Sequence, residues 1–333
     1  VQSIQRTTSE IQELLIQIDG ELVPGVNYRG LTEDLHPGDL VEINSTAVDL
    51  RLGTGGVHFV IARLSNSRDS TGHASSLGPA IGHIMKLRYT PLQFATLSVE
   101  EPASPHHHTL IGANSLENMP VMVASLHSLI APVAVVFKSN SPPETHLTYI
   151  MTEGAALPLG FSKLVANLQS QGFIQSTITV GHAFGGDLEA VNIYSGLLAA
   201  RHVLNADACI VAMGPGVVGT GTAFGTTALE IAAILDGVNA LGGRAIAVCR
   251  GSFADERERH QGISHHTLTA LTKLCYSECI CPLPQLVGEE ALHIGNQCQT
   301  LSRHRLIMVS DDNTLGLLEK HNIKVTSMGR GPQ

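Results

Sequence analysis

The spacing of hydrophobic residues changes along the chain and divides it into two parts. Over the first hundred residues, short β-rich runs are separated at close intervals by Gly, Pro, Asn and Asp, a pattern typical of antiparallel strands joined by tight turns. The predicted strands are 11–18, 25–28, 40–43, 57–64, 83–87 and 93–99. This pattern predicts a small antiparallel β-barrel domain over residues 1–110, with its end, which includes three consecutive His, as a solvated linker.

From about residue 115, apolar runs of strand length alternate with helical patterns, which indicates βαβ units and a parallel sheet. Strands are predicted at 133–137, 147–151, 177–180, 209–213, 245–249, 305–309 and 323–326. Helices are predicted at 161–169, 188–204 and 228–241 and from Thr267, and Thr227 and Glu230 have the spacing of a capping box for helix 228–241. The run from Val121 is read as a buried helix leading into strand 133–137. The fold class is therefore α/β, with residues 111–333 forming a mostly parallel, doubly wound, Rossmann- or flavodoxin-like domain.

Composition narrows the classes of protein. The chain has 333 residues, 43% of them hydrophobic, with a net charge of −9 and no basic cluster, which argues against a nucleic-acid partner. The longest nearly apolar run, 121–137, is shorter than the roughly 20 residues of a membrane span. The chain also begins without a secretory-signal pattern, so we expect a cytoplasmic protein with no membrane partner. Its aliphatic composition predicts a homodimer.

Three loops rich in Gly, His and acidic residues follow predicted strands, at 181–187, 214–222 and 252–266. Because the carboxyl ends of parallel strands meet at one edge of the sheet, these loops are expected to form one site. Glu153, just past another strand, is either an acidic wall of the same cleft or a turn residue. In the first loop, His182 and Asp187 could act as base and orienting partner or as metal ligands. Alternatively, Asp187 caps the next helix and His182 merely ends a strand.

The second loop is rich in residues whose backbone amides or hydroxyls could hold an anion. These are Gly214, Gly216, Gly219, Thr220, Gly221 and Thr222. The loop matches neither the P-loop nor the dinucleotide-binding fingerprint. A tight structural crossover between strand and helix is the alternative.

The third loop carries the most polar side chains, including Asp255 and His260. Ser264 is expected to cap a helix whose first turn holds His265 and His266, where the helix dipole keeps imidazoles neutral and able to bind metal or exchange protons. Arg257 and Arg259 are expected to hold an anionic ligand. Charge pairing within 255–259 is the alternative.

Three cysteines near the carboxyl end, Cys275, Cys279 and Cys281, have a spacing that could ligate zinc with Cys298 or a His as the fourth residue. The pair-of-pairs spacing typical of zinc sites is missing, so the spacing alone favours ordinary buried thiols.

Five motifs in order, within 44–56, 82–90, 181–192, 213–222 and 252–267, resemble the bacterial domain-of-unknown-function family 3866. The resemblance covers nearly the whole chain. It implies a cytoplasmic bacterial protein with the two-part architecture described above and implies no activity. The chain differs from the family pattern at Glu153, where Asp is expected, and in its three clustered cysteines.

Taken together, the residues favour an enzyme that acts on a small anionic metabolite, as a metal-assisted hydrolase or group transferase. The expected catalytic residues are Glu153, His182, Asp187, Asp255, His265 and His266. A divalent metal would be held by His182, Asp187, His265 and His266. The alternatives are a non-catalytic metabolite-binding or regulatory protein, and a structural role in which the glycines permit close dimer packing.

Overall fold

The computed structural model describes residues 1–49, 56–64, 82–88, 92–310 and 313–325. Parts of two of the family-like motifs, at 50–55 and 89–90, lie outside these residues. The chain forms two compact units, Val1–Leu97 and Ser98–Gln333, so the division falls earlier than the predicted boundary at residue 110. The three consecutive His therefore belong to the second unit, where His107 Nδ1 lies 2.6 Å from the carbonyl oxygen of Glu100.

The first unit is built from short strands, as predicted. They are β1 (Ser3–Thr7), β2 (Ile11–Ile18), β3 (Glu21–Tyr28), β4 (Leu40–Asn44), β5 (His58–Leu64), β6 (Ile84–Lys86) and β7 (Phe94–Thr96), with the short helix α1 (Thr46–Asp49) after β4. Five strands form one sheet in the order β1-β2-β3-β5-β4, and β6 pairs with β7. The sheet packs its buried face around Leu14, Ile16, Leu35 and Val60.

The five-stranded sheet of this unit differs from the prediction in the direction of one strand pair. The sheet is mixed, because β3 and β5 pair in parallel. Its edges approach each other where the Val1 amino group donates to the Asp39 carbonyl at 2.6 Å and the Gly38 N–H donates to the Val1 carbonyl at 2.9 Å. Strand β1 was not predicted, since its sequence Ser-Ile-Gln-Arg-Thr lacks an apolar alternation.

The second unit alternates strands and helices. Its elements are α2 (His107–Ile111), β8 (Pro120–Ala124), α3 (Ile130–Ser139), β9 (Leu147–Thr152), α4 (Lys163–Ser170), β10 (Ser176–Val180), β11 (Leu188–Ala190), α5 (Ile193–His202), β12 (Ala208–Met213), α6 (Glu230–Ala240), β13 (Arg244–Val248), β14 (Gly251–Ser252), β15 (Gly262–Ile263), α7 (His265–Thr269), β16 (Ile280–Pro284), α8 (Gly288–Cys298), β17 (Arg305–Val309) and α9 (Thr314–Lys320). A π-helical segment, Ala270–Leu274, continues α7. No helix in the described part of the chain has the length and apolar character that crossing a bilayer requires.

Eight parallel strands form the central sheet of this unit, in the order β11-β10-β9-β12-β8-β13-β16-β17. One face packs against α3, α4 and α9, and the other packs against α5, α6 and α8. The fold is therefore the predicted doubly wound α/β arrangement. The chain leaves the neighbouring strands β9 and β12 toward opposite ends of the strand order, and it does the same at β8 and β13, so the carboxyl ends of these strands flank the position where such sheets bind ligands.

The segment 121–137 was predicted in the wrong order. The strand comes first, as β8, whose Val121 and Val123 are fully buried, and the helix α3 follows. Both are apolar on all sides, so periodicity alone could not separate them. Pro132 lies in the first turn of α3, where its missing N–H costs no helical hydrogen bond. The strand predicted at 323–326 is also absent over its described residues, 323–325.

Two predicted helix starts were also wrong. Asp187 does not cap a helix, because β11 follows it and α5 begins only after Asn192, whose side chain accepts hydrogen bonds from the backbone N–H groups of Tyr194 and Ser195. Thr227 lies inside a 3₁₀ turn, Thr227–Leu229, that Thr226 caps, so it forms no capping box with Glu230.

Candidate functional site

The second and third glycine- and histidine-rich loops lie side by side at the carboxyl edge of the sheet. The second follows β12 and the third follows β13. A Cβ atom at Gly219 would lie 3.6 Å from His266 Nε2, and one at Gly221 would lie 3.8 Å from an Arg259 guanidinium nitrogen. The sequence therefore placed these two loops correctly relative to each other.

Three imidazoles form a cluster in the third loop, His260, His265 and His266, and each offers a ring nitrogen within 4.8 Å of the others. The rings of His265 and His266 are 3.9 Å apart between centroids, and that of His260 lies 4.8 and 5.3 Å from them. His265 Nε2 and His266 Nδ1 are buried and have no hydrogen-bond partner among the described residues. Buried polar atoms are normally paired, so these nitrogens mark a place where a ligand would be stabilised.

All three imidazoles are biased toward the neutral form. Burial lowers the pKa of His260 and of His266 to about 4, and it also lowers the pKa of His265. Positive charges on Arg257 and other nearby arginines act in the same direction. The neutral state matches the expectation for His265 and His266, but burial, rather than a helix dipole, is the main cause. Neutral imidazoles keep a lone pair for a metal or a proton.

Asp255 organises the base of the third loop. Its carboxylate is 3% exposed and accepts hydrogen bonds of 2.9 Å from both Nε and Nη2 of Arg257, and Arg250 Nη2 lies 3.3 Å away. The hydrogen bond from Arg257 holds the pKa of Asp255 far below its usual value. The charge-pairing alternative therefore describes Asp255 and Arg257, and this carboxylate is occupied as an acceptor rather than available as a base.

His260 is tied to the same hub. Its Nδ1 lies 2.9 Å from the Ser264 hydroxyl and 3.2 Å from Arg250 Nη1. Ser264 precedes α7 as predicted, but its side chain contacts His260 instead of capping the helix. Arg259 is exposed and lowers the pKa of His265 and His266 by its charge. Arg259 is thus the predicted anion-binding arginine that faces both the histidines and the glycine-rich loop.

The second loop uses its hydroxyls internally. Thr220 Oγ1 lies 3.0 Å from Thr222 Oγ1 and donates to the Gly225 carbonyl at 3.1 Å, and the Gly225 N–H donates to Thr222. Gly216 and Gly221 have φ values of +104° and +84°, which favour glycine. Gly214 packs closely against Ala156, where a side chain would collide. This geometry supports the structural-crossover alternative for the hydroxyls and leaves the loop near Gly219 and Gly221 beside the histidines.

The first loop is not brought into the histidine cluster. The Asp187 carboxylate accepts from the backbone N–H and hydroxyl of Thr177 at 2.7 and 2.9 Å, while the His182 N–H donates to Glu153 at 2.6 Å. Neither His182 nor Asp187 belongs to a group of three potential ligands in the described ranges. The predicted set of His182, Asp187, His265 and His266 is therefore not assembled as one metal centre.

Glu230 is a functional candidate that sequence reasoning missed. It starts α6 and accepts a 2.6 Å hydrogen bond from the buried Thr152 at the end of β9. The pKa of Glu230 is raised to about 6, mainly by burial and in part by the charge of Glu153, and the hydrogen bond from Thr152 opposes this rise. The sequence pattern had assigned Glu230 to a capping box. Glu230 follows a glycine-rich loop in the sequence, and this position was the signal that could have linked it to Glu153.

Two further histidines, His127 and His202, are hydrogen-bonded within the fold. His127 is buried, with Nδ1 3.2 Å from the Met213 carbonyl and Nε2 2.7 Å from the Ser162 hydroxyl. Burial lowers the pKa of His127 to about 4. His202 Nε2 lies 2.7 Å from the Ser115 carbonyl.

A second group of potential metal ligands lies away from this site. Cys275, Cys279 and His304 are all buried, and each offers a ligand atom within 4.8 Å of the others. Cys279 and His304 directly precede β16 and β17, so this group lies at the amino edge of the sheet, opposite the histidine cluster.

Comparison with known proteins places the chain in a family. The chain belongs to the family described as a protein of unknown function (DUF3866), whose model matches residues 24–333. The resemblance seen in the five motifs is thereby confirmed. No curated protein matches the chain.

Proposed function

We propose that this DUF3866 member is a metal-dependent enzyme that acts on a small anionic substrate, by hydrolysis or group transfer, at the carboxyl edge of its parallel sheet. The observation that carries the proposal is the cluster of His260, His265 and His266, in which two buried ring nitrogens have no hydrogen-bond partner in the described part of the chain. Three neutral imidazoles are a ligand set that suits zinc and related divalent metals.

The surroundings of the cluster fit a catalytic rather than a structural metal. Three protein ligands leave coordination positions for water and substrate, where a metal activates water or polarises an oxygen atom. Ser264 supports the arrangement, because its hydroxyl can accept a hydrogen from His260 Nδ1 and leave Nε2 as the ligand. When His260 Nδ1 carries the proton, Arg250 donates to the Asp255 carboxylate.

Charge around the cluster favours an anionic substrate. Arg250 and Arg257 share the single carboxylate of Asp255, and Arg259 adds a third positive charge beside Gly221. This excess of positive charge disfavours the binding of a metal ion by itself and attracts an anion. A metal and an anionic substrate therefore stabilise each other in this cleft, and Arg259 would orient the anion.

The test is metal binding by purified, untagged protein. We expect wild-type protein to retain zinc or another divalent metal at the histidine cluster after dialysis, and His266→Ala to lose this metal, about one equivalent per chain. His108→Ala, which removes an exposed histidine outside the cluster, should retain it as a matched control. Equal metal content in wild type and His266→Ala would overturn the proposal. Turnover of phosphorylated or carboxylated small molecules should fall with the metal content.

The second candidate is a protein that binds an anionic metabolite without catalysis, and the arginine surplus favours it. The two candidates differ in the metal-free state. If metal-free protein binds inorganic phosphate as tightly as the metal-loaded form, and Arg259→Gln weakens that binding while His266→Ala does not, the binding protein is the better description. Phosphate binding that requires both the metal and His266 supports the enzyme.

A further inference from the structure

The cysteine cluster lies where three elements of the second unit meet. Cys275 ends the π-helical segment, Cys279 directly precedes β16, and His304 directly precedes β17. Cys275 and Cys281 are fully buried, and Cys279 and His304 are 2% and 6% exposed. These residues therefore have no open face toward solvent, unlike the histidine cluster.

The distances match the edges of a tetrahedral metal site. Cys279 Sγ lies 3.3 Å from His304 Nδ1 and 3.8 Å from Cys281 Sγ. With Zn–S of about 2.3 Å and Zn–N of about 2.0 Å, a tetrahedral site has S···S edges of about 3.8 Å and S···N edges of about 3.5 Å. Cys275 Sγ lies within 4.8 Å of Cys279 Sγ and of a His304 ring nitrogen. Cys281 lies outside this group of three, so its side chain would have to move closer to complete a four-ligand site.

His304 is held in the orientation that a metal ligand needs. Its Nε2 lies 2.9 Å from the Leu271 carbonyl, to which an Nε2–H donates. That hydrogen bond leaves Nδ1 unprotonated and directed at Cys279, and the longer contact from the Cys279 N–H at 3.4 Å also treats Nδ1 as an acceptor. A backbone carbonyl behind a ligating imidazole is the usual outer-shell partner in zinc sites.

The choice of fourth ligand lies between Cys281 and Asp236. Asp236 Oδ1 is 3.5 Å from Cys275 Sγ, but it already accepts from the Ser277 N–H and hydroxyl at 2.8 and 2.6 Å. These bonds fix the turn after Cys275. Cys281 Sγ contacts Cys279 Sγ, and the residue is fully buried. Its thiolate is a soft ligand, which favours zinc over metals that prefer oxygen ligands.

We propose that Cys275, Cys279, Cys281 and His304 bind a structural zinc ion that joins the end of the π-helical segment to the amino ends of β16 and β17. A closed set of four protein ligands, three of them thiolates, leaves no position for substrate. Zinc displaces the thiol protons as it binds, so its affinity rises with pH. The site shares no residue with the histidine cluster and does not depend on the proposed function.

Cobalt substitution tests this site separately from the first. Full-length His266→Ala protein is loaded with Co²⁺, so that thiolate ligands are reported by an intense near-ultraviolet charge-transfer band. We expect this band together with about one equivalent of bound metal per chain. Adding Cys279→Ser should abolish the band. Adding Cys209→Ser, which alters a fully buried thiol in β12, should leave it unchanged.

A measurement on wild-type protein keeps the proposal testable if Cys279→Ser fails to fold. A mercurial reagent should release zinc into a colorimetric dye in proportion to the thiols it modifies, and a chelator alone should release this zinc slowly. No thiolate band in His266→Ala, or no zinc released from wild type by the mercurial, would overturn the proposal. Neither result would bear on metal binding by His260, His265 and His266.

Discussion

The histidine cluster and the cysteine cluster are alike in size and opposite in setting. Each brings three potential ligand atoms within 4.8 Å, and a single crossover, α7 with its π-helical continuation, runs from one to the other. His265 and His266 begin that crossover at the carboxyl edge of the sheet, and Cys275 follows it at the amino edge. One connection between β13 and β16 therefore positions both groups.

The two clusters differ in how accessible they are to solvent and ligands. The histidine cluster is partly exposed beside a glycine-rich loop and has arginines nearby, and two of its buried nitrogens have no hydrogen-bond partner among the residues that the structure describes. The cysteine cluster is enclosed, and its sulfur and nitrogen atoms contact one another. Residues at the carboxyl edge of a parallel sheet meet ligands, whereas enclosed sets stabilise the fold. The number of ligands alone therefore does not distinguish a reactive site from a structural one.

The largest expected effect is on folding stability. Cys279→Ser removes a ligand of an enclosed site, so we expect zinc-loaded protein to lose several kcal/mol of unfolding free energy. His266→Ala removes a ligand from a half-exposed site and should cost about 1 kcal/mol. Urea denaturation of both variants measures the difference. Equal losses, or a larger loss for His266→Ala, would mean that the roles of the two clusters are reversed.

The free energy of unfolding of metal-free protein should depend on pH. The folded-state pKa of His260 is about 4, below its usual value near 6.5, because burial disfavours the imidazolium. Well above pH 6.5 the imidazole is neutral in both the folded and the unfolded state, so its protonation does not reduce the free energy of unfolding. As the pH falls below about 6.5, His260 is protonated in the unfolded chain but stays neutral in the folded chain. The free energy of unfolding therefore falls progressively until about pH 4. We expect His260 alone to contribute a loss of about 1 to 2 kcal/mol between pH 7 and 5.

Denaturation at both pH values checks this expectation, with His260→Gln as the test and exposed His108→Gln as the control. The His260 variant should show a shallower fall than wild type, and the control should not. An unchanged slope in His260→Gln would show that this imidazole does not resist protonation.

Much of the parallel sheet could be predicted because its strands are continuous apolar runs bounded by turns. The stretch 209–213 lies within β12, and 305–309 coincides with β17. The prediction failed at 121–137, where strand and helix are both apolar and only packing between neighbouring strands decides which segment pairs. Local sequence also could not show that β11 intervenes after Asp187, since three residues pair with β10 only in the assembled sheet.

The candidate site was predictable in part for a similar reason. His265 and His266 are adjacent in a loop after a strand, so their place could be read directly. His260 joins them only because a 3₁₀ turn, Glu258–His260, and the Asp255 hub fold the loop back. His304 reaches the cysteines from the next strand along the sheet. Such contacts come from the register of β16 against β17, which no local spacing encodes.

The smallest expected effect concerns the electrostatics of the histidine cluster. The charge of Arg259 lowers the pKa of His265 and His266, after burial in importance. Arg259→Gln should therefore raise both pKa values, by less than about one unit, because Arg259 is exposed and water screens its charge. Histidine titration by NMR measures the shift, and Arg244→Gln makes the same change of net charge at the amino end of β13.

Inorganic phosphate extends this test to ligand binding. If Arg259 holds the anion beside the imidazoles, phosphate should raise the pKa of His265 and His266 in wild type and in Arg244→Gln, but less in Arg259→Gln. The cysteine cluster is enclosed and should show no response to phosphate. Unchanged imidazole pKa values in Arg259→Gln, with or without phosphate, would mean that this arginine does not act on the histidines, and the electrostatic contrast between the two clusters would then rest on Arg250 and Arg257 alone.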